Sequence, residues 1–276
     1  MTVAIIARLT FREAARRRIL LAALLLGLLF IIVYALGFYF VNAEIQREGT
    51  RPLEQNEIRN FLTMAGLYVV NFLTVMMAVL TSVDTLSGEI ASGTIHTLVA
   101  KPVRRWEIVL GKWLGFGGML TLYLALMAGG VLAAVFLISG YSPPNLLRGV
   151  SLIWLNGLLL LGVSFSGGAT LSTLANGVLV FGLYGVAFVG GWIEHIGSLL
   201  QNQTAVDIGI LTSLIIPSEA LWRRAAFEMQ SPLVAAAGFS PFSAPSVPSP
   251  MMVIYGTLYA GAALLLAIRQ FGRRDL

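Results

Sequence analysis

Ile19 to Val41 is a run of 23 residues without a charge, and it limits the fold of this chain more than any other stretch. As a helix it reaches ~35 Å, enough to cross a hydrocarbon core of ~30 Å with some tilt. Five more apolar runs follow, at residues 61–83, 108–138, 149–173, 178–196 and 251–268. Of 276 residues, 57% are hydrophobic and 11% charged, where soluble domains carry about 25% charged residues. The pattern predicts an all-α integral membrane protein of about six transmembrane helices. Residues 1–276 then form one membrane domain, with little chain left for a soluble one.

Orientation follows from the basic residues. Five arginines precede the first run and, by the positive-inside rule, hold the N-terminus in the cytoplasm. With six spans, Arg8, Arg12, Arg16, Arg17, Arg18, Lys101, Arg104, Arg105, Lys112, Arg269, Arg273 and Arg274 fall inside, 12 of the 18 basic residues. Arg47, Arg51, Arg59, Arg148, Arg223 and Arg224 fall outside against the trend. Both termini are expected to be cytoplasmic. The net charge of +5 is thus explained by its placement, and no nucleic acid partner is expected.

The apolar run after residue 18 is too long, and lacks the small-residue cleavage site, of a removable signal peptide. Arg8, Arg12 and Arg16 recur every four residues beside Val3, Ile5, Ile6 and Leu9. That spacing fits an interfacial helix on an anionic leaflet of the lipid bilayer, or equally a basic flank that only orients the first span. Asn42–Asn60, with mixed charges, is expected outside as a solvated helical face. The third run exceeds what a bilayer needs, so its helix either projects into the cytoplasm or breaks at Gly115, Gly117 and Gly118. Ser142–Asn145 predicts an outer turn, and Ala175-Asn176-Gly177 a tight cytoplasmic one.

Leu199–Pro250 is expected outside. Ala205–Ile216 is apolar but too short to cross, which fits a re-entrant or interfacial segment. Ser218 has the chemistry of an N-cap for a helix in which Leu221, Trp222, Ala225 and Met229 share a face while Arg223, Arg224 and Glu228 lie elsewhere. Such a helix would lie on the outer surface. Pro241, Pro245, Pro248 and Pro250 predict an extended link before the last span.

The most polar and patterned stretch is Asp84–Glu107. Gly88 and Gly93 loosen its backbone, while Glu89 and Thr94 can begin and cap a short helix. Ile90, Ile95 and Leu98 give that helix an apolar side, and Pro102 stops it. Asp84, near the interface, is expected to be hydrated or paired with Arg104 or Arg105. The bland alternative is an ordinary loop whose Lys101, Arg104 and Arg105 only set orientation.

Several chemistries find no support. Gly111-Lys112 is followed by Trp113, and no phosphate loop of the form G-x-x-x-x-G-K-[ST] is present. Cysteine is absent, so disulfides and thiolate metal sites are excluded. Met76-Met77 and Met251-Met252 fit apolar packing, and no metal is assigned. Ser164 and Ser166 lie among glycines within a span, but the two histidines, His96 and His195, are expected on opposite sides. Close helix packing explains those small residues better than an intramembrane hydrolase. No mid-membrane ionisable residue and no internal repeat stand out, which weakens a stand-alone secondary transporter.

The order of Glu89, Gly93-Thr94, Leu98, Pro102, Arg104-Arg105, Glu107 and Gly111-Lys112 resembles the coupling-helix region of ABC-type exporter permeases of the second class. The closest similarity is to the subgroup that contains the membrane subunit of the nitrous-oxide-reductase maturation transporter. It extends from the basic start to the Ile216–Arg224 run before the last span. The resemblance implies a non-catalytic permease of a bacterial-type inner (cell) membrane, working as a homodimer with a separate ABC ATPase subunit that binds ATP and Mg. The chain itself would hold no cofactor, and an outer-face accessory protein is a further partner of that subgroup. Glu89, Thr94, Arg104 and Arg105 would contact or orient the ATPase, and Gly93 and Pro102 would shape the coupling helix. The nature of the cargo is not legible in these residues.

Overall fold

The computed structural model describes residues 2–49, 51–93, 103–231 and 247–274, and among these every regular element is a helix. Six helices are long and apolar enough to cross a membrane: α2 (Arg18–Arg47), α3 (Pro52–Ser82), α5 (Arg105–Ser139), α6 (Leu146–Thr170), α7 (Thr173–Leu199) and α10 (Pro250–Arg273). They are joined by α1 (Thr2–Ala15), the five-residue α4 (Ser87–Ala91), α8 (Gln203–Ile215) and α9 (Ser218–Met229). The predicted set of six spans is therefore present, with longer helices than expected. Hydropathy marks only the apolar part of a helix, whereas backbone hydrogen bonding continues into the polar ends.

The mixed-charge stretch 42–60 is mostly helix, being the end of α2 and the start of α3, and the Arg59 Nε donates to Asn42 Oδ1 across the turn at 2.9 Å. Pro52 and Pro250 each occupy a first helical position, where the missing N–H would have no partner anyway. Pro250 thus opens α10 instead of belonging to the extended link; Pro241 and Pro245 lie outside the described residues.

One of two alternatives is excluded, and one expectation is corrected. α5 runs unbroken through Gly115, Gly117 and Gly118, so these glycines do not hinge it. Their neighbours explain them, because α1 lies against α5 so closely that a Cβ at Gly115 would stand 2.7 Å from the Ala7 carbonyl oxygen, and one at Gly111 2.7 Å from the Ile6 Cβ. The turn expected at Ala175-Asn176-Gly177 falls instead at Leu171–Ser172. The Ser172 Oγ caps α7 by accepting from the Ala175 N–H at 3.4 Å. Asn176 is buried within α7, and its amide donates to the carbonyl oxygens of Val83 at 3.1 Å and Ser164 at 2.9 Å. A turn-forming residue type was recruited to satisfy backbone groups where three helices converge.

Contacts along the helices order the two ends of the bundle. Arg105, at the start of α5, reaches the carbonyls of Gly272 and Arg274 after α10, while Arg274 reaches Ala169 at the end of α6. This terminal end also carries α1 and α4. At the far end α8 folds back beside α7, with Gly197 near Ala205 and Gly190 near Thr212. The chain then bends by 104° at Ile216–Pro217, and α9 climbs again until Met229 meets Gly149 near the start of α6. The pair thus begins and ends at the far end, so α8 and α9 form a re-entrant pair, one of the two alternatives the short apolar run offered.

Candidate functional site

The segment leaving α3 is tied down residue by residue. Thr173 Oγ1 donates to Asp84 Oδ1 at 2.9 Å, and Ser87 Oγ lies 2.9 Å from the same threonine hydroxyl. Asp84 is therefore held by α7 and not by Arg104 or Arg105. Glu89, on α4, forms an ion pair with Lys112 of α5, whose side chain is only 5% exposed. The lysine lies about two turns into α5, where its charge needs a carboxylate partner. Gly93, with φ +72°, closes the helical turn by donating from its N–H to the Ile90 carbonyl at 3.2 Å. That left-handed conformation is one that glycine adopts without strain.

The helix that Glu89 and Thr94 were expected to frame therefore ends before Thr94 in the described chain. Thr94, Leu98 and Pro102 lie outside the described residues. After residue 102, the Arg104 N–H donates to Glu107 Oε2 at 2.9 Å, which begins α5, and the Arg104 side chain is exposed. Arg105 Nη1 donates to Arg274 O at 2.5 Å and Gly272 O at 3.2 Å. Of the residues expected to meet a partner, Glu89 and Arg105 are thus engaged internally, each joining a flank of this segment to a spanning helix.

Arg8 and Arg12 lie one turn apart on α1, but α1 ends at Ala15, so Arg16 stands in the turn that follows it and not on the helix face. Arg8, Arg12 and Arg16 are exposed, as are Ile5 and Leu9, while Thr10 and Ala14 are buried on the side packed against α5. The interfacial reading and the flanking reading both fit this arrangement.

The second site lies in the far half of the bundle and departs most from expectation. α9 is buried on nearly all sides, with Leu221 at 0% and Trp222 at 2% exposure, and Tyr68 packs on Trp222 with ring centroids 5.0 Å apart. It is not an outer-surface helix. Ser218 is its first helical residue, the N-cap position belongs to Pro217, and the Ser218 hydroxyl is buried without a hydrogen-bond partner among the described residues. Arg223 Nη1 lies 2.7 Å from Glu194 Oε1 of α7, and Arg223 Nη2 donates to Ser213 Oγ at 3.1 Å. Glu219, one turn before Arg223, is also buried, in a space left by Gly191, where a Cβ would stand 2.5 Å from the glutamate Cγ.

The buried interior therefore holds ionisable groups that the sequence reading did not single out, Glu194 on the span α7 and Glu219 and Arg223 on α9. A lone charge at the centre of a bilayer costs on the order of 3 kcal/mol or more, and here carboxylate and guanidinium neutralise one another. Glu194 falls two residues short of the apolar run's expected end, and Glu219 and Arg223 stand four apart, the spacing of one helix face. Those were the available signals. Beside the pair, a hollow of about 280 Å³ is walled by Glu194 together with Ser198, Gln201, Asn202 and Gln203.

Ser164 is fully buried and accepts from Ser82 Oγ at 2.8 Å, while Ser166 donates to Gln270 at 3.5 Å. His195 packs on Trp192 in the far half of α7, and His96 lies outside the described residues. Neither serine has a histidine base among the described residues, so this geometry supports packing and not hydrolysis. Residues 4–276 match the family described as ABC-2 family transporter protein. No curated protein matches the chain.

Proposed function

Because the chain belongs to the ABC-2 family of transporter proteins, and so is the membrane component of an ABC transporter, we propose that it couples ATP hydrolysis on a separate ATPase chain to export or force transmission across the bilayer. The observation that carries this reading is the double anchoring of residues 84–107. One flank is held to α5 through Glu89 and Lys112, and the other to the end of α10 through Arg105. A push on the surface between these anchors passes into α5 and α10 directly and into α7 through Asp84 and Thr173. Packed helices shift as units, so a small displacement at the surface is carried along their length.

In this proposal the terminal end faces the cytoplasm of a bacterial-type cell, both termini lie there, and residues 94–102 meet the ATPase. ATP and Mg are bound by that partner. Two copies of this chain form the pathway, which agrees with the large exposed apolar surface of α2 and α10. The similarity to the nitrous-oxide-reductase maturation subgroup extends the proposal to an outer-face accessory protein.

Purification of the tagged chain from its native membranes tests the reading, with ATP hydrolysis in the eluate as the measure. The wild-type chain is expected to bring down an ATPase, and the Glu89→Gln, Arg105→Ala variant to lose it. Unchanged ATPase recovery in that variant overturns the proposal.

A stand-alone secondary transporter is the second reading, favoured by the buried charges of Glu194, Glu219 and Arg223. It predicts that no ATPase is recovered with the wild-type chain.

A further inference from the structure

Along one side of the bundle the seam between α6 and α10 carries two hollows in line. The one at the terminal end, about 460 Å³, is lined by Ala169, Thr170, Gln270, Arg273 and Arg274. The next, about 230 Å³, lies deeper in the spanning region and is lined by Val163, Ser166, Tyr259, Ala262, Ala263 and Leu266. Ser166, from the deeper hollow, donates to Gln270 of the outer one at 3.5 Å, so the two meet. On α10 the lining positions 259, 262, 263, 266, 270 and 273 recur at spacings of three and four, which makes them one continuous stripe, and Arg274 follows at the helix end.

The chemistry changes sharply along this stripe. The deeper hollow is walled by aliphatic side chains, one tyrosine ring and one hydroxyl. The outer one ends in the side chains of Arg273 and Arg274, the latter donating to the Ala169 carbonyl at 2.6 Å, and Arg105 donates nearby to the backbone carbonyls of Gly272 and Arg274. Arg273 is exposed, and among the described residues none of these three arginines has a carboxylate within ion-pair distance. The arginines stand where the apolar run of α10 gives way to polar sequence, the level at which a membrane carries its phosphates.

We infer that the α6–α10 seam is a binding site for a glycerophospholipid with an anionic headgroup, from the leaflet at the terminal end. The phosphate sits against Arg273 and Arg274, with the Thr170 hydroxyl and the Gln270 amide in reach as further donors. One acyl chain lies in the groove along Ala262, Ala263 and Leu266. Guanidinium groups match phosphate oxygens in pairs, and the aliphatic groove removes part of the chain from competing lipid. A free phosphate would use only the outer hollow. This site depends on the chain spanning a membrane and not on the ATPase partnership, so the two stand or fall separately.

The test uses the full chain purified in detergent, titrated with phosphatidylglycerol or phosphatidylcholine, with bound lipid counted by native mass spectrometry. Phosphatidylglycerol is expected to be retained more tightly than phosphatidylcholine. Because Arg273 is exposed, Arg273→Gln leaves the packing intact, and it should weaken phosphatidylglycerol retention about ten-fold while Arg273→Lys restores most of it. Leu266→Trp, which fills the groove without changing charge, should weaken it as well. Equal retention of the two lipids, or Arg273→Gln without effect, overturns the site. Loss in Arg273→Gln with Leu266→Trp unaffected and inorganic phosphate competing as well as lipid would replace it with a simple anion site.

Discussion

Glu194 on α7 and Arg223 on α9 meet at 2.7 Å with side chains 3% and 8% exposed, and this ion pair fastens the re-entrant pair to the spanning bundle. A buried pair is weak as a net source of stability, but removing one partner strands the other. Arg223→Met should therefore lower stability by about 3–5 kcal/mol, and Glu194→Gln with Arg223→Met together should recover a large part of that loss. The denaturation midpoint of the detergent-purified protein measures it, and additive losses in the double variant would show that the two groups do not act as a pair.

Lys112 and Glu89 distinguish positioning from docking. If Glu89 works by tying the surface segment to α5, Lys112→Met should reduce ATPase stimulation as strongly as Glu89→Gln, although Lys112 is buried. The exchanged pair Glu89→Lys, Lys112→Glu should restore much of it. Were Glu89 a contact residue, Lys112→Met would be silent and the exchange would not rescue.

Two glycines predict opposite outcomes in neighbouring helices. A Cβ on Gly209 of α8 would stand 2.3 Å from the Glu194 Cβ and 2.7 Å from the Gly190 carbonyl oxygen, so Gly209→Val should overpack that contact by about 1–3 kcal/mol. Gly185 of α7 has no atom within 4 Å of its added Cβ. Gly185→Ala should be neutral or stabilising by up to ~1 kcal/mol, the helix-propensity difference. Equal thermal shifts in the two variants would contradict the packing described for α7 and α8.

The absence of cysteine makes the topology directly measurable. Single variants Arg16→Cys and Arg273→Cys, both at the terminal end, should react with an impermeant maleimide only from the cytoplasmic side. Gln203→Cys, at the start of α8, should react only from the opposite side. Labelling of Gln203→Cys and Arg16→Cys from one side would overturn the six-span topology and with it the re-entrant pair.

The expectations that held rest on terms that act locally. Ile19–Val41 announced a spanning helix because hydrocarbon demands about twenty uncharged residues whatever the neighbours are. Ala205–Ile216, too short to cross, announced a re-entrant or interfacial segment, and in the fold it turns back beside α7. The misjudged elements share a different cause. Ser218 and the Ala175–Gly177 run have the composition of caps and turns, and both were absorbed into helices once neighbouring elements covered them. Gly115 belonged to the cluster that offered a break in sequence, yet in the fold it marks the close approach of α1 to α5.

By itself, then, the sequence determined that this chain lives in a membrane, how many times it crosses, and which polar stretch stands apart from the spans. Those properties follow from transfer of side chains and backbone into hydrocarbon, a cost each segment meets alone. Only the tertiary structure decided that Arg223 and Glu194 are partners inside the bundle, that Glu89 turns inward to Lys112, and that α9 is buried. Charges far apart in sequence pair because burial makes an unpartnered one untenable, and which partner each finds is set by how the helices pack.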